Sequence, residues 1–204
     1  MTNSQSALSV DFTIPENNES HQALIIPVFD GNVIGSATRN VDTPLTRIIT
    51  RNLDAASKHD IYVTDDASLS PKFEGKIKQA FVFPGTRRIN YEKVVLLGMG
   101  ASSSFDTNAA QEIGKHLKEI MVKADIKNAL LLADQSYESE ESEKNLYCSL
   151  ASGAYEAFYS FDKYKSDDTE RNKPRRLNIA IENPNEMKAA FARASTLSNA
   201  KMWA

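Results

Sequence analysis

Gly98, Gly100, Ser102 and Ser103 stand where an apolar run, Lys93–Met99, gives way to a helical pattern. At such a junction backbone N–H groups and the positive end of a helix dipole can hold a phosphate, so these four residues are the candidate phosphate site. The spacing falls short of a dinucleotide fingerprint. A glycine would be needed at Ser103, and no acidic residue closes a second strand about 20 residues further on. A tight strand-to-loop turn accounts for the same residues without a ligand.

Other residue types that carry chemistry are scarce or scattered. His21, His59 and His116 lie far apart, one before a strand, one in a loop and one on the polar side of a helix. None has the i, i+4 or H-x-H spacing of a preformed zinc site. Acidic residues at Asp65, Asp66, Glu138, Glu140, Glu141, Glu143, Asp167 and Asp168 fall in turns or helix starts, where the dipole alone favours them. Cys148 sits between Tyr147 and Ser149 in a helical stretch, with no His or basic neighbour to make a thiolate, and reads as a packing residue. The run Arg171-Asn172-Lys173-Pro174-Arg175-Arg176 could touch phosphates, but Asp167, Asp168 and Glu170 offset it and a solvated connection explains it. Tyr155, Tyr159, Phe161 and Tyr164 suggest a stacking platform, yet their helical context favours core and rim packing. Taken alone, the residues assign no catalytic group, no metal ligand and no cofactor contact.

The elements that must position these groups alternate along the chain. Gln22–Phe29 reads as a strand ending in the Asp30-Gly31 turn, and Pro27, which has no N–H, places it at an edge or beside a bulge. A helix is expected from Thr43-Pro44, with Leu45, Ile48, Ile49, Leu53 and Ala56 on one face. Gln79–Phe83 and Lys93–Met99 read as further strands, the second apolar on both faces as in a covered parallel sheet. Asp106–Ala124 carries a helical stripe through Ile113, Leu117, Ile120 and Met121, and Ala129–Ala133 returns as a buried strand. Glu141–Phe161 is a second helical stripe, Leu177–Ile181 another strand and Asn185–Trp203 a last helix. The alternation predicts a three-layer α/β/α domain on a mixed, mainly parallel sheet of about six strands.

Composition narrows the function classes. The 204 residues carry 24 Lys plus Arg against 27 Asp plus Glu, a net charge of -3, so no global field draws the chain onto nucleic acid. A lone cysteine excludes an internal disulfide and suits a reducing compartment. The opening MTNSQSALSVDFTIPENN does not read as a secretory signal, and no run approaches the roughly 20 apolar residues of a membrane span. A soluble cytoplasmic protein is expected.

Three stretches resemble the N-terminal domain of the leucyl aminopeptidase family, the cytosol aminopeptidases. They are LIIPVFDG at Leu24–Gly31; Phe73-Glu74-Gly75-Lys76 leading through QAFVFPG to KVVLLGMG; and Gly153 to Lys165, where Gly153, Tyr159, Phe161, Tyr164 and Lys165 match the family's G…Y-x-F-x-x-Y-K pattern. The resemblance implies a macro-domain-like fold divided into an N-terminal segment (1–20, with an edge strand), an α/β/α domain (21–184) and the start of a linking helix (185–204). It also implies a non-catalytic half, excised or truncated, whose catalytic C-terminal domain is absent. The family's asparagine-threonine-aspartate-alanine-glutamate-glycine-arginine motif does not occur in the sequence. The complete enzyme would use two divalent metals, zinc, manganese or magnesium, remove N-terminal residues from peptides, and assemble as a homohexamer. Met202 and Trp203 would then pack on the catalytic domain, or fold back on their own core. An ADP-ribose or nucleotide module using Gly98–Ser103 is the alternative reading, and a DNA-binding accessory domain, disfavoured by charge, is a third.

Overall fold

In a computed structural model of the chain, the described residues are 8–15, 20–34, 62–63, 73–85, 89–133, 143–158 and 173–203. Among them eight strands form one sheet: β1 (Leu8–Thr13), β2 (Ala23–Phe29), β3 (Val33–Ile34), β4 (Tyr62–Val63), β5 (Gln79–Pro84), β6 (Lys93–Gly100), β7 (Asn128–Leu132) and β8 (Arg175–Ala180). Three helices accompany them: α1 (Thr107–Lys123), α2 (Glu143–Phe158) and α3 (Pro184–Trp203). The order across the sheet is β1-β8-β7-β2-β6-β5-β4, with β3 on the end of β2. The first five of these run parallel, and β5, β4 and β3 each lie antiparallel to the strand they join. The expected mixed, mainly parallel α/β architecture is present, with two strands more than anticipated. β3 and β4 are two residues each, too short to carry a periodicity. The helix expected from Thr43 lies outside the described residues.

β2 is the centre of the sheet. All seven of its residues are buried, with β6 on one side and β7 on the other. This corrects the edge placement suggested by Pro27. β7 pairs only as far as Ile25 and β3 takes up only from Val28, so on that side Pro27 falls in the gap between the two ladders. On the other side the register to β6 shifts between Val28 and Phe29, the expected bulge at the end of the strand.

Alternation along each strand divides the interior in two. Ile25, Phe29, Val95, Leu97, Leu131, Leu177 and Ile179 face α1, α2 and Met187 of α3. Leu24, Ile26, Val28, Val94, Leu96 and Leu130 face the other way, onto Phe73, Phe83 and Ile89. α1 starts where the Asp106 carboxylate accepts a hydrogen bond from the Ala109 N–H at 2.8 Å, an N-cap that fixes the helix onset after β6.

α1 and α2 cross at two glycines. A Cβ on Gly114 would collide with the Leu150 carbonyl oxygen and lie 2.8 Å from the Ala154 nitrogen, while one on Gly153 would collide with the Gln111 carbonyl oxygen. The two backbones therefore touch with no side chain between them. The Gln111 amide donates to the Glu156 carboxylate at 3.1 Å and Lys118 Nζ to the Ala157 carbonyl at 2.7 Å, tying the helices on either side of the crossing.

Candidate functional site

The C-terminal ends of the parallel strands, where α/β sheets commonly bind ligands, hold the glycine turn. β6 ends in Gly98-Met99-Gly100, and a single 3₁₀ turn, Ser102–Ser104, separates it from α1. Across this rim lies the segment Phe73–Lys78. Gly100 N–H donates to Gly75 O at 2.8 Å, Asp30 N–H to Gly100 O at 2.9 Å and Gly31 N–H to Glu74 O at 3.1 Å. A Cβ on Gly98 would strike the Lys76 carbonyl, and one on Gly75 the Phe29 carbonyl, so both glycines are required by backbone packed on backbone. Gly75 and Gly100 also have φ near +80°, at 81° and 78°. Gly98, Gly100, Ser102 and Ser103 thus come together as the sequence places them, at a turn whose Gly100 amide is already hydrogen-bonded within the protein. Ser103 is exposed and Ser102 half-buried. The Asp106 carboxylate sits on the first amides of α1, where an anion would otherwise be held.

Gln79 organises that segment. Fully buried at the start of β5, it accepts through Oε1 from the Glu74 N–H at 2.8 Å and the Lys76 N–H at 3.2 Å. Sequence reading passes over it as one polar residue in an apolar strand, yet a glutamine amid apolar neighbours signals that its amide has a structural partner.

At the opposite rim, where β2 and β7 begin and the chain enters β6, there is a cavity of 730 Å³ whose lining includes His21, Ile89, Tyr91, Glu92, Lys127 and Asn128. Gln22 knits the three chain segments together. Its N–H donates to Asn128 O, its carbonyl accepts from Glu92 and Lys93, and its side chain bridges Asp125 O and the Lys127 N–H. His21 is 3% exposed, and Asn178 Nδ2 lies 2.8 Å from its Nε2. This pair, 157 residues apart in sequence, is absent from the sequence reading. Its signal is the asparagine inside the apolar strand LNIAI. Burial raises the Tyr91 phenol above its ordinary pKa.

The remaining candidates are dispersed. His116 is 7% exposed and packs beneath α1, correcting its assignment to the polar side of that helix. Desolvation lowers its pKa from 6.5, and Glu119, 3.6 Å from Nδ1, does not overcome this. Below pH 6.5 the unfolded chain therefore binds the proton more readily than the folded one, and stability falls as the pH falls through that range. Urea titrations at stepped pH check this, and His116→Gln is expected to flatten the slope between pH 6.5 and the lower native value. Cys148 has its thiol pushed up to about 11 by burial, and Sγ faces Met187 O at 3.9 Å, a packing environment.

Lys173, Pro174 and Arg176 of the basic run are exposed, as a solvated connection requires, but Arg175 is not. It is 4% exposed, with its guanidinium 6.0 Å from the centre of the Phe158 ring and Nη1 donating to Lys173 O. Tyr155 meets Phe191 edge-on, as a rim aromatic. His59, Asp65, Asp66, Glu138, Glu140, Glu141, Tyr159, Phe161, Tyr164, Asp167, Asp168, Arg171 and Asn172 lie outside the described residues, as do the side chains of Glu143, Met202 and Trp203. Among the described residues no three His, Cys, Asp or Glu side chains stand together as a metal site would require, and no helix is long and apolar enough to cross a membrane.

Residues 63–168, just over half of the chain, match the sequence model of the cytosol aminopeptidase family, N-terminal domain. No curated protein sequence matches. Among solved structures, a tomato leucine aminopeptidase point mutant aligns with a TM-score of 0.66 at 16% identity, covering 98% of this chain and 38% of that one. The bottromycin maturation enzyme BotP aligns at 0.56 with 13% identity, covering 87% of this chain and 31% of that one. The macrodomain of Thermus aquaticus DarG aligns at 0.51 with 8% identity, covering 86% and 99%. At such identities these likenesses show a shared α/β fold.

Proposed function

The chain belongs to the cytosol aminopeptidase family through that family's N-terminal domain, and from this premise we propose that it is the non-catalytic domain of a two-metal leucyl aminopeptidase. The family match over residues 63–168 carries the reading. The alignment of nearly the whole chain with 38% of a tomato leucine aminopeptidase supports it, because the chain then spans one domain's share of a longer enzyme. Among the described residues no group of His, Cys, Asp and Glu side chains fits a pair of divalent metals. In this proposal the metals and the peptide-cleaving groups belong to the C-terminal catalytic domain, this domain contributes interdomain packing and shapes access, and the whole acts as a cytoplasmic homohexamer. Met202 and Trp203 are the residues assigned, from sequence, to the packing.

Residues 1–204 incubated with manganese and a leucine chromogenic amide are expected to release no product. Metal-dependent, saturable release by the purified chain would overturn the proposal. The likeness to a macrodomain favours a second reading, a nucleotide or ADP-ribose module at Gly98–Ser103. Calorimetric titration with ADP-ribose decides between them: heat that saturates supports the module, and a flat trace removes it.

A further inference from the structure

The segment Phe73–Lys78 lies across the end of β6 and closes the glycine turn from outside. Gly75 O takes the Gly100 N–H, and a Cβ on Gly100 would lie 2.8 Å from Ile77 Cγ1, so the Ile77 side chain covers the turn. Of the six residues only Phe73 and Gly75 are buried, while Lys76 and Lys78 are exposed. Gln79 holds the segment from β5, and α1 provides a second hold. Lys78, in the left-handed region at φ 70°, is hydrogen-bonded through its backbone to the His116 ring. His116 Nε2 is buried and has no hydrogen-bond partner. Whichever nitrogen carries the proton in the neutral ring, the imidazolium carries one on each, so the charged form leaves the Nε2 N–H without an acceptor. That costs about 1–3 kcal/mol for as long as the ring stays in place. Among the described residues the charged groups that bear on the ring are Glu119 and Lys123 of α1 and Lys78 of the segment. Glu119 stands 3.6 Å from the other nitrogen, Nδ1, with its side chain more than half exposed, and both lysines oppose a positive ring. β6 presents apolar Val95, Leu97 and Met99 to this side of the sheet, and its Lys93 is bonded to Ala124 O at the C-terminal end of α1.

We propose that His116 is a proton-sensitive latch: when its ring is charged, the segment Phe73–Lys78 comes away from α1 and bares the Gly98–Gly100 turn, while the rest of the sheet stays folded. The weaker partner yields. α1 is fixed by the Asp106 cap, by the backbone crossing at Gly114 and by buried Ile113, Leu117, Ile120 and Met121. The segment is a half-exposed loop with a non-glycine residue at positive φ. Its departure opens a path for Nε2 to water and releases the Gly100 N–H, which Gly75 O occupies in the closed form. The protonation state of one side chain on α1 thus controls whether an amide of the glycine turn is free. The inference stands on these residues alone and does not depend on the aminopeptidase reading.

Native-state hydrogen exchange of the chain at stepped pH from about 7.5 to about 5, corrected for the intrinsic pH dependence of exchange, tests it. Below pH 6.5 the protection of the Gly31, Glu74, Lys76 and Gly100 amides is expected to fall by up to about tenfold per pH unit, because the open form binds one proton more than the closed form. Amides of β7 and β8 are expected to keep their protection. His116→Gln, which has no titrating ring, is expected to make the protection of the four amides independent of pH. Should that variant fail to fold, the unaltered chain decides: the fall in protection must level off at the pH where the His116 imidazole resonances titrate. An equal loss of protection in β7 and β8, no change at the four amides over the whole range, a fall that persists in His116→Gln, or a fall that does not follow the His116 resonances would each overturn the proposal.

Discussion

Gly114→Ala and Gly153→Ala are each expected to lower the unfolding free energy by about 3 kcal/mol, near the upper end of ordinary overpacking costs. Alanine in a helix interior is intrinsically better than glycine by about 0.5–1 kcal/mol, so helix propensity alone would predict the opposite sign. Geometry decides. The added methyl at either position meets backbone atoms, Leu150 O and Ala154 N in one case and Gln111 O in the other, and backbone inside a helix cannot swing aside as a side chain can. Relief comes only by moving α1 and α2 apart, which opens space around Ile113, Leu117, Leu150 and Ala154 in the larger core. Because one displacement relieves both collisions, the double variant is expected to lose less than the sum of the single losses. Urea denaturation of the three variants measures both effects. Stabilisation by either single alanine would contradict the close crossing.

Gln79→Leu is expected to cost about 2–4 kcal/mol although it keeps most of the side-chain volume. The loss is of hydrogen bonds rather than of packing. Without Oε1 the amides of Glu74 and Lys76 lose their acceptor in a partly buried loop, at about 1–3 kcal/mol each. The segment Phe73–Lys78 holds the ends of β2 and β6 through Gly75 and Glu74, so its loosening should reach the glycine turn. Hydrogen exchange at Glu74, Lys76 and Gly100 is expected to speed up in the variant while β7 and β8 remain protected. Uniform protection throughout would mean that the segment holds itself without Gln79.

The parallel strands β2, β6, β7 and β8 and the helices α1, α2 and α3 are legible because each is long enough for its period to show, with α1 read from the same Ile113, Leu117, Ile120 and Met121 that the structure buries. Two misplacements have definite causes. His116 was assigned by residue type, yet it lies about 60° from Ile113 and about 40° from Ile120 around the helix, within the apolar stripe. Arg175 was grouped with its charged neighbours, although it stands two residues before Leu177 and so shares that residue's face of β8. Pro27 leaves an edge or a bulge open, and the structure has the bulge: the ladder on one side of β2 changes partner around Pro27 and the register to β6 shifts just after it. The candidate cavity was not legible at all. Its walls come from residues near positions 21, 90 and 128, and only the parallel stacking of β2, β6 and β7 brings these together.

The pairing of β1 with β8 joins Leu8 to Arg175 and Thr13 to Ala180, the first of the described strands to the last of them. During synthesis β1 has no β8 to pair with until residues 175–180 have left the ribosome. Leu8 and Phe12, buried in the finished protein, must stay uncommitted for that interval. β7 and β2 can meet earlier, so the sheet grows outward from its middle and is closed at this margin last. Among the described strands, the order of translation therefore makes β1, synthesised first, one of the last to be paired.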